Sequence, residues 1–122
     1  MKKLFKPILV SSLALLCFSC YYNEFPEEED VIIDPDQEVS FANDIIPIFE
    51  LYNCAQCHNN SGQNPNLISN QAYDALVPGY VTSGSPNSSR LYTMLEIEEH
   101  RNVDATSIAL IKKWIEDGAD NN

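Results

Sequence analysis

The sequence predicts a single small all-α domain that follows an N-terminal segment of a different kind. The chain has 122 residues, which is enough for one small domain at most. No stretch alternates apolar and polar residues with the period of two that a half-buried strand would show. Apolar residues recur instead at intervals of three and four, in stretches bounded by Pro or Gly, which is typical of short amphipathic helices.

Residues 1–19 have the layout of a secretory signal peptide. Three lysines lie among the first six residues, and the apolar run 7–18 is too short to cross a bilayer core of about 30 Å as a helix. A buried core helix with a basic start is the alternative interpretation. The abrupt change to polar composition after Cys20 argues against it.

The segment ends in Leu16-Cys17-Phe18-Ser19-Cys20, which resembles the lipobox of bacterial lipoproteins. The resemblance implies cleavage after Ser19 and a lipid on Cys20, which would anchor the exported chain to a bacterial membrane, on its periplasmic side or at the cell surface. Cys17 occupies a position where such motifs usually carry Leu. The alternative is an ordinary cleaved signal peptide that leaves Cys20 as a free thiol.

Residues 20–39 are predicted to be a disordered acidic tether to a domain over residues 40–122. The tether has eight acidic residues, two prolines and little apolar periodicity. Once residues 1–19 are removed, 4 basic and 18 acidic residues remain, a formal charge of −14. This charge argues against nucleic-acid binding and predicts protein partners with basic docking surfaces.

The first helix of the domain is predicted from Ile45 to about Tyr52, with Asp44 as its N-cap. Pro47 falls in the first turn, where its missing N–H is tolerated. The residues expected to share its buried face are Ile45, Ile48, Phe49 and Tyr52.

Two further helices are predicted in the middle of the domain. Ser69 is expected to cap a short helix that runs to Leu76 and stops at Pro78-Gly79. Ser85-Pro86 is expected to open the next helix. Its residues at helical spacing are Leu91, Met94, Leu95 and Glu98.

The last helix is predicted to begin at an Asp104 N-cap and to end at Gly118. The residues that it is expected to bury are Ile108, Ile111, Trp114 and Ile115. Helices this short would form a thin core without a cofactor. The sequence therefore predicts three to four short helices around a bound group.

Cys54-Ala55-Gln56-Cys57-His58 is the C-x-x-C-H pattern of covalent c-type haem attachment. Two thiols three positions apart in a tight turn can each form a thioether with one vinyl group of the porphyrin. The adjacent imidazole can then serve as proximal iron ligand. We therefore predict one covalent haem c, attached through Cys54 and Cys57, with His58 on the iron.

Two other uses of these cysteines are considered. A thioredoxin-like dithiol would call for a βαβ setting, which the sequence does not predict. A zinc site would need Cys54, Cys57, His58 and His100 together, although His58 directly abuts Cys57.

Six segments together resemble the small cytochrome c domain often called planctomycete-type. They are 44–49 (DIIPIF), 54–59 (CAQCHN), 78–79 (PG), 84–86 (GSP), 89–92 (SRLY) and 108–119 (IALIKKWIEDGA). The resemblance covers about residues 40–120. It implies a class I-like helical fold around one haem, with the C-terminal helix packed across the N-terminal helix.

The sequence alone does not decide which residue is the second axial ligand of the iron. The family usually carries Met-Pro-Pro shortly before its last helix, whereas this chain has Glu98 to Asp104 with neither Met nor Pro. His100 in that loop is one candidate, and Met94 in the preceding helix is another. A solvated His100, a core Met94 and an open distal side form the third possibility.

The leading functional hypothesis is single-electron transfer between redox partner proteins, without side-chain catalysis. One alternative is a haem peroxidase-like enzyme or small-ligand sensor with an open distal site. His100 and Arg101 are the only distal His–Arg pair, and as neighbours we expect them to point apart. The other alternative is an accessory lipoprotein of a surface complex.

Overall fold

The computed structural model describes residues 31–122. The predicted signal peptide, Cys20 and the first part of the tether lie outside the described residues, so they stay predictions. Within residues 31–122 no strand is present, and no helix there is long and apolar enough to cross a membrane. The α-helices are α1 (Ile46–Leu51), α2 (Ala72–Leu76), α3 (Arg90–Glu96) and α4 (Ala105–Glu116). The predicted all-α class is confirmed for this part of the chain.

The first helical segment begins earlier than predicted. A π-helical turn over Phe41–Ile45 leads directly into α1, and Ser40 caps it by accepting a hydrogen bond from Asn43 N at 3.2 Å. The Asp44 carboxylate accepts a hydrogen bond from Ser40 N at 2.8 Å. Asp44 as N-cap is therefore wrong, because Ser40 is the capping residue and the Asp44 side chain reaches back to its backbone N–H, one residue later than in a standard capping box.

The two middle helices are shorter than predicted. α2 has Gln71 at its N-cap position with no side-chain capping bond, so the assignment of that role to Ser69 is wrong. Pro86–Ser88 forms a separate 3₁₀ turn before α3. Ser89, which is fully buried, lies between this turn and α3. Its Oγ accepts a hydrogen bond from Thr82 N at 2.9 Å and donates one to Ser85 O at 2.9 Å. These bonds hold Ser89 in an extended conformation that delays the helix.

The last helix starts and stops as predicted. Asp104 Oδ1 accepts a hydrogen bond from Ser107 N at 3.0 Å, which confirms the N-cap. Gly118 has φ of +120°, and the adjacent Ala119 N donates to Trp114 O at 2.8 Å, a Schellman ending. Ile111, Trp114 and Ile115 are buried as predicted, whereas Ile108 is only partly buried.

The two ends of the described chain pack together. α4 contacts the π-helical turn, where the Phe41 and Trp114 ring centroids are 5.1 Å apart. Asn122 O accepts hydrogen bonds from Ala42 N at 3.0 Å and Ser40 Oγ at 2.8 Å. Val39, which the sequence places at the end of the tether, is part of the core. This packing closes one side of the domain and leaves the C-x-x-C-H segment on another.

Candidate functional site

A cavity of about 740 Å³ lies beside the C-x-x-C-H segment. Its volume is within the range of roughly 300–1,000 Å³ that is usual for small-molecule and cofactor sites. The apolar part of its wall comes from three helices and the loops between them. Those apolar residues are Phe49, Pro65, Leu67, Leu76, Leu91, Met94 and Leu95. The cavity can therefore hold a large, mainly apolar group.

The attachment motif forms a tight turn on this wall. Cys54–Gln56 is a 3₁₀ turn that follows Asn53, whose left-handed backbone (φ 50°) ends the first helical segment. Cys54 and Cys57 both line the cavity, and both are free thiols. His58 N donates to Cys54 O at 3.0 Å, so the turn also fixes the position of the His58 backbone.

The two thiols differ in environment. Cys54 is buried, and Cys57 is exposed. Burial raises the pKa of the Cys54 thiol, although the positive charge of Arg101 opposes this shift. At neutral pH Cys54 is therefore a neutral thiol inside the cavity wall.

A loop folds back over the motif and holds it. Gln63 N donates to Cys57 O at 2.8 Å, and a Cβ at Gly62 would lie only 2.1 Å from the same oxygen. Glycine is required at position 62 because any side chain would collide with this backbone.

The loop also orients the His58 ring. Nδ1 of His58 lies 3.1 Å from the carbonyl oxygen of Pro65. A carbonyl oxygen only accepts hydrogen bonds, so Nδ1 carries the proton and donates it. In neutral His58 the lone pair is then on Nε2, the arrangement in which metal-ligating histidines are usually held by a partner on their other nitrogen.

His100 lines the same cavity, with its ring centroid 6.2 Å from that of His58 and an interplanar angle of 77°. An imidazole nitrogen bonds a transition-metal ion at about 2 Å, and the ring centroid lies about 1 Å beyond that nitrogen. Two imidazoles on opposite sides of one ion therefore have centroids about 6 Å apart. The observed separation fits two axial ligands of a single iron.

The loop that carries His100 has an unusual backbone. Glu99, Arg101 and Asn102 all have left-handed φ values, between 48° and 69°, without being glycine. Such conformations persist only where the surrounding structure enforces them, and they concentrate at functional sites. Met94, the other predicted distal candidate, lines the cavity from α3.

Two arginines also line the cavity, Arg90 and Arg101. Arg90 was not predicted at the site, and Arg101 was expected to point away from His100. Arg101 Nη2 lies 3.5 Å from Gln56 Oε1 and 3.9 Å from Cys57 Sγ. The expectation that Arg101 and His100 point apart is therefore wrong. His100 and Arg101 both line the cavity, and Arg101 has a left-handed φ of 69°.

Among residues 31–122, no group of three or more His, Cys, Asp or Glu side chains lies close enough to share a metal ion. A haem iron takes four ligands from the porphyrin and needs only one or two from the protein. No protein-family model, curated protein or solved structure matches the chain.

Proposed function

We propose that this chain is a haem c-binding electron-transfer protein, exported and anchored to a membrane through a lipid on Cys20. The proposal depends on the geometry around the C-x-x-C-H turn. Both thiols of the C-x-x-C-H turn line one cofactor-sized cavity, and His58 is oriented there by the Pro65 carbonyl. At fold level the proposal implies a class I-like cytochrome c arrangement of the helices.

Each residue of the motif has one task in this proposal. Cys54 and Cys57 form the two thioethers, and His58 presents Nε2 to the iron while Nδ1 stays bonded to Pro65 O. The haem, when bound, accepts and releases one electron at its iron. The apolar wall excludes water from the haem face, and burial of this kind is one of the factors that set the reduction potential.

We propose His100 as the second axial ligand. Its separation of 6.2 Å from His58 supports this choice, and the strained loop around it supports a functional role. Two imidazoles give a lower reduction potential than a His–Met pair, because thioether ligation raises the potential. Met94 is the alternative ligand, since it lines the same cavity.

The decisive experiment is replacement of both thiols in the full chain, expressed with a c-type haem maturation system. Wild-type protein is expected to retain haem on a denaturing gel and to show c-type optical bands. Cys54→Ala/Cys57→Ala is expected to retain none and to lose much of its folded structure, since the cavity wall then lacks its occupant. Ser61→Ala, at an exposed position just after the motif, serves as the matched control and should still carry covalent haem.

A wild-type protein without covalent haem would contradict the assignment, and so would haem that survives denaturation in the double variant.

A second candidate function is small-ligand or peroxide chemistry on the distal side. The observation in its favour is that His100 and Arg101 both line the cavity. In that case His100 stays off the iron, and the reduced wild-type protein binds CO readily. An iron that carries both His58 and His100 as axial ligands is expected to resist CO instead.

A further inference from the structure

The loop that carries His100, residues 96–102, has no apolar anchor of its own. Leu95 before it and Val103 after it are buried, whereas every residue of the loop is exposed. Burial of apolar surface therefore contributes little to holding the loop in place. Its position beside the cavity has to come from its backbone conformation and from polar contacts.

Arg101 supplies the polar contacts between this loop and another segment. Its Nη2 atom lies 3.5 Å from Gln56 Oε1 and 3.9 Å from Cys57 Sγ. Among the described residues, no other side chain of the loop forms a hydrogen bond with a different segment. Gln56 and Cys57 both belong to the attachment motif. One side chain therefore connects the loop of the distal candidate with the segment that would carry the haem.

These contacts place the Arg101 guanidinium at the thioether edge of the proposed haem, because Cys57 Sγ is the atom that would bond a vinyl carbon there. A guanidinium is planar and always charged, and its several donors can serve two acceptors at once. Arg101 directly follows His100 in the chain. A contact at this edge therefore limits how far His100 can move from its position 6.2 Å from His58.

We propose that Arg101 is a positioning residue that keeps His100 on the iron by fastening its loop to the attachment motif. This inference rests on the proposed haem function and on His100 as the second axial ligand. The loop then has a closed form, in which His100 bonds the iron, and an open form, in which the distal position can take a small ligand such as CO. The Arg101 contact stabilises the closed form and so disfavours ligand entry.

The test measures CO binding to the reduced full-chain holoproteins, since CO can bind only after His100 has left the iron. Arg101→Gln removes the guanidinium from an exposed position, so the core stays intact. We expect this variant to bind CO about tenfold faster than wild type, the effect of losing a charged contact that solvent partly screens. Its optical spectrum should also show a larger high-spin fraction. Lys112→Gln, which removes an equal charge from an exposed position of α4, is the matched control and should keep the wild-type rate.

A second comparison separates the positioning of His100 from a direct effect of the arginine charge on the iron. In His100→Ala, CO no longer waits for a protein ligand to leave, so this variant should bind CO faster than wild type. Addition of Arg101→Gln to His100→Ala should then change the rate by less than about twofold, because the two residues act on one equilibrium.

A wild-type CO rate in Arg101→Gln would overturn the inference, and so would an equal acceleration by Arg101→Gln in the His100→Ala background. A wild-type protein that binds CO as fast as His100→Ala would overturn it too. The haem function stands in all three cases, since each variant still carries covalent haem on a denaturing gel; a wild-type protein without covalent haem would overturn the haem function itself. Should Arg101→Gln fail to fold, Gln56→Ala removes an acceptor from the other side of the contact. It is expected to bind CO faster than wild type, and a wild-type rate would overturn the inference.

Discussion

The two histidines of the cavity are held by different means. The hydrogen bond to Pro65 O determines which nitrogen of His58 faces the cavity. His100 is held by the backbone of its loop, where a left-handed φ at a non-glycine residue costs roughly 1–3 kcal/mol. The orientation of His58 thus depends on one polar contact, whereas that of His100 depends on a backbone conformation that the rest of the domain must stabilise.

At this residue scale we predict that His100→Ala converts a low-spin, six-coordinate iron into a high-spin iron. The variant removes a strong-field ligand, so the optical spectrum of the oxidised holoprotein should change greatly. Met94→Leu is the matched control, because it replaces one apolar residue of the cavity wall with another of similar volume. Its spectrum should stay nearly the same as that of the wild type.

The opposite pattern would identify Met94 as the ligand, with a higher potential than two imidazoles give. If the spectrum changes in neither variant, neither His100 nor Met94 is the distal ligand. Ready CO binding by the reduced wild-type protein would then favour the small-ligand function.

At the scale of elements, a contact between Tyr52 and Asp104 joins the end of the first helix to the start of the last. Tyr52 Oη donates to Asp104 Oδ2 at 2.5 Å and accepts from Asp104 N at 3.0 Å. Tyr52 lies two residues before Cys54, and Asp104 lies four residues after His100. The contact therefore ties together the chain segments that carry the proximal and distal sides of the site.

The Asp104 contact makes part of the stability depend on pH. The Tyr52 hydroxyl, and after it the Ser107 groups, lower the pKa of Asp104 from 3.8 to about 2. A lowered folded-state pKa means that this contribution is complete above the unfolded-state value and is lost as the pH falls from about 4 toward 2.

We predict that Asp104→Asn removes this acid-sensitive component, because Asn still caps a helix but does not titrate. Wild type should exceed the variant in free energy of unfolding by about 1 kcal/mol at neutral pH, which is less than the full pKa shift would contribute because solvent screens the exposed carboxylate, and the difference should shrink toward pH 2. Denaturant titrations of the holoproteins across this range measure it. Asp74→Asn, at an exposed position of α2, is the control and should follow the wild-type curve. Parallel wild-type and Asp104→Asn curves would contradict the assignment.

At the scale of the whole molecule, the chain has a formal charge of −11, whereas the cavity within residues 31–122 is lined by no acidic side chain. Charge of this sign speeds encounters with basic partner surfaces and makes them sensitive to salt. The proposed lipid would restrict those encounters to partners at the same membrane. Surface residues and the N-terminal anchor, rather than the cavity, would then select the redox partners.

We predict that the wild-type chain fractionates with membranes and that Cys20→Ser is released or mislocalised. We expect wild type and variant to differ because Cys20, at the new N-terminus, is the one cysteine predicted to carry the lipid. Membrane fractionation with mass measurement of the mature N-terminus tests it, and Cys17→Ser is the matched control that should still be anchored. A soluble wild-type protein with an unmodified Cys20 would contradict lipidation.

Much of the local structure follows from neighbouring residues. The Asp104 cap, the Gly118 ending and the burial of Ile45, Ile48 and Phe49 each depend on residues within one or two turns, and sequence reasoning predicted them correctly. Tyr52, predicted on the same buried face, is only partly buried.

Sequence reasoning misplaced the start of the first helix, since Ser40 and Asp44 are both good capping residues. The structure decides between them, because the Ser40 hydroxyl accepts from Asn43 N and the Asp44 carboxylate accepts from Ser40 N.

The proximal half of the candidate site was readable because Cys54, Cys57 and His58 are adjacent in the chain, and their chemistry requires that spacing. The distal half could not be read in the same way. Whether His100, Arg101 and Arg90 share one cavity depends on the positive φ at Arg101 and on the packing of α3 and the last helix. Short-range pattern constrains only what lies within a few residues, so contacts between distant segments are decided by how the helices pack.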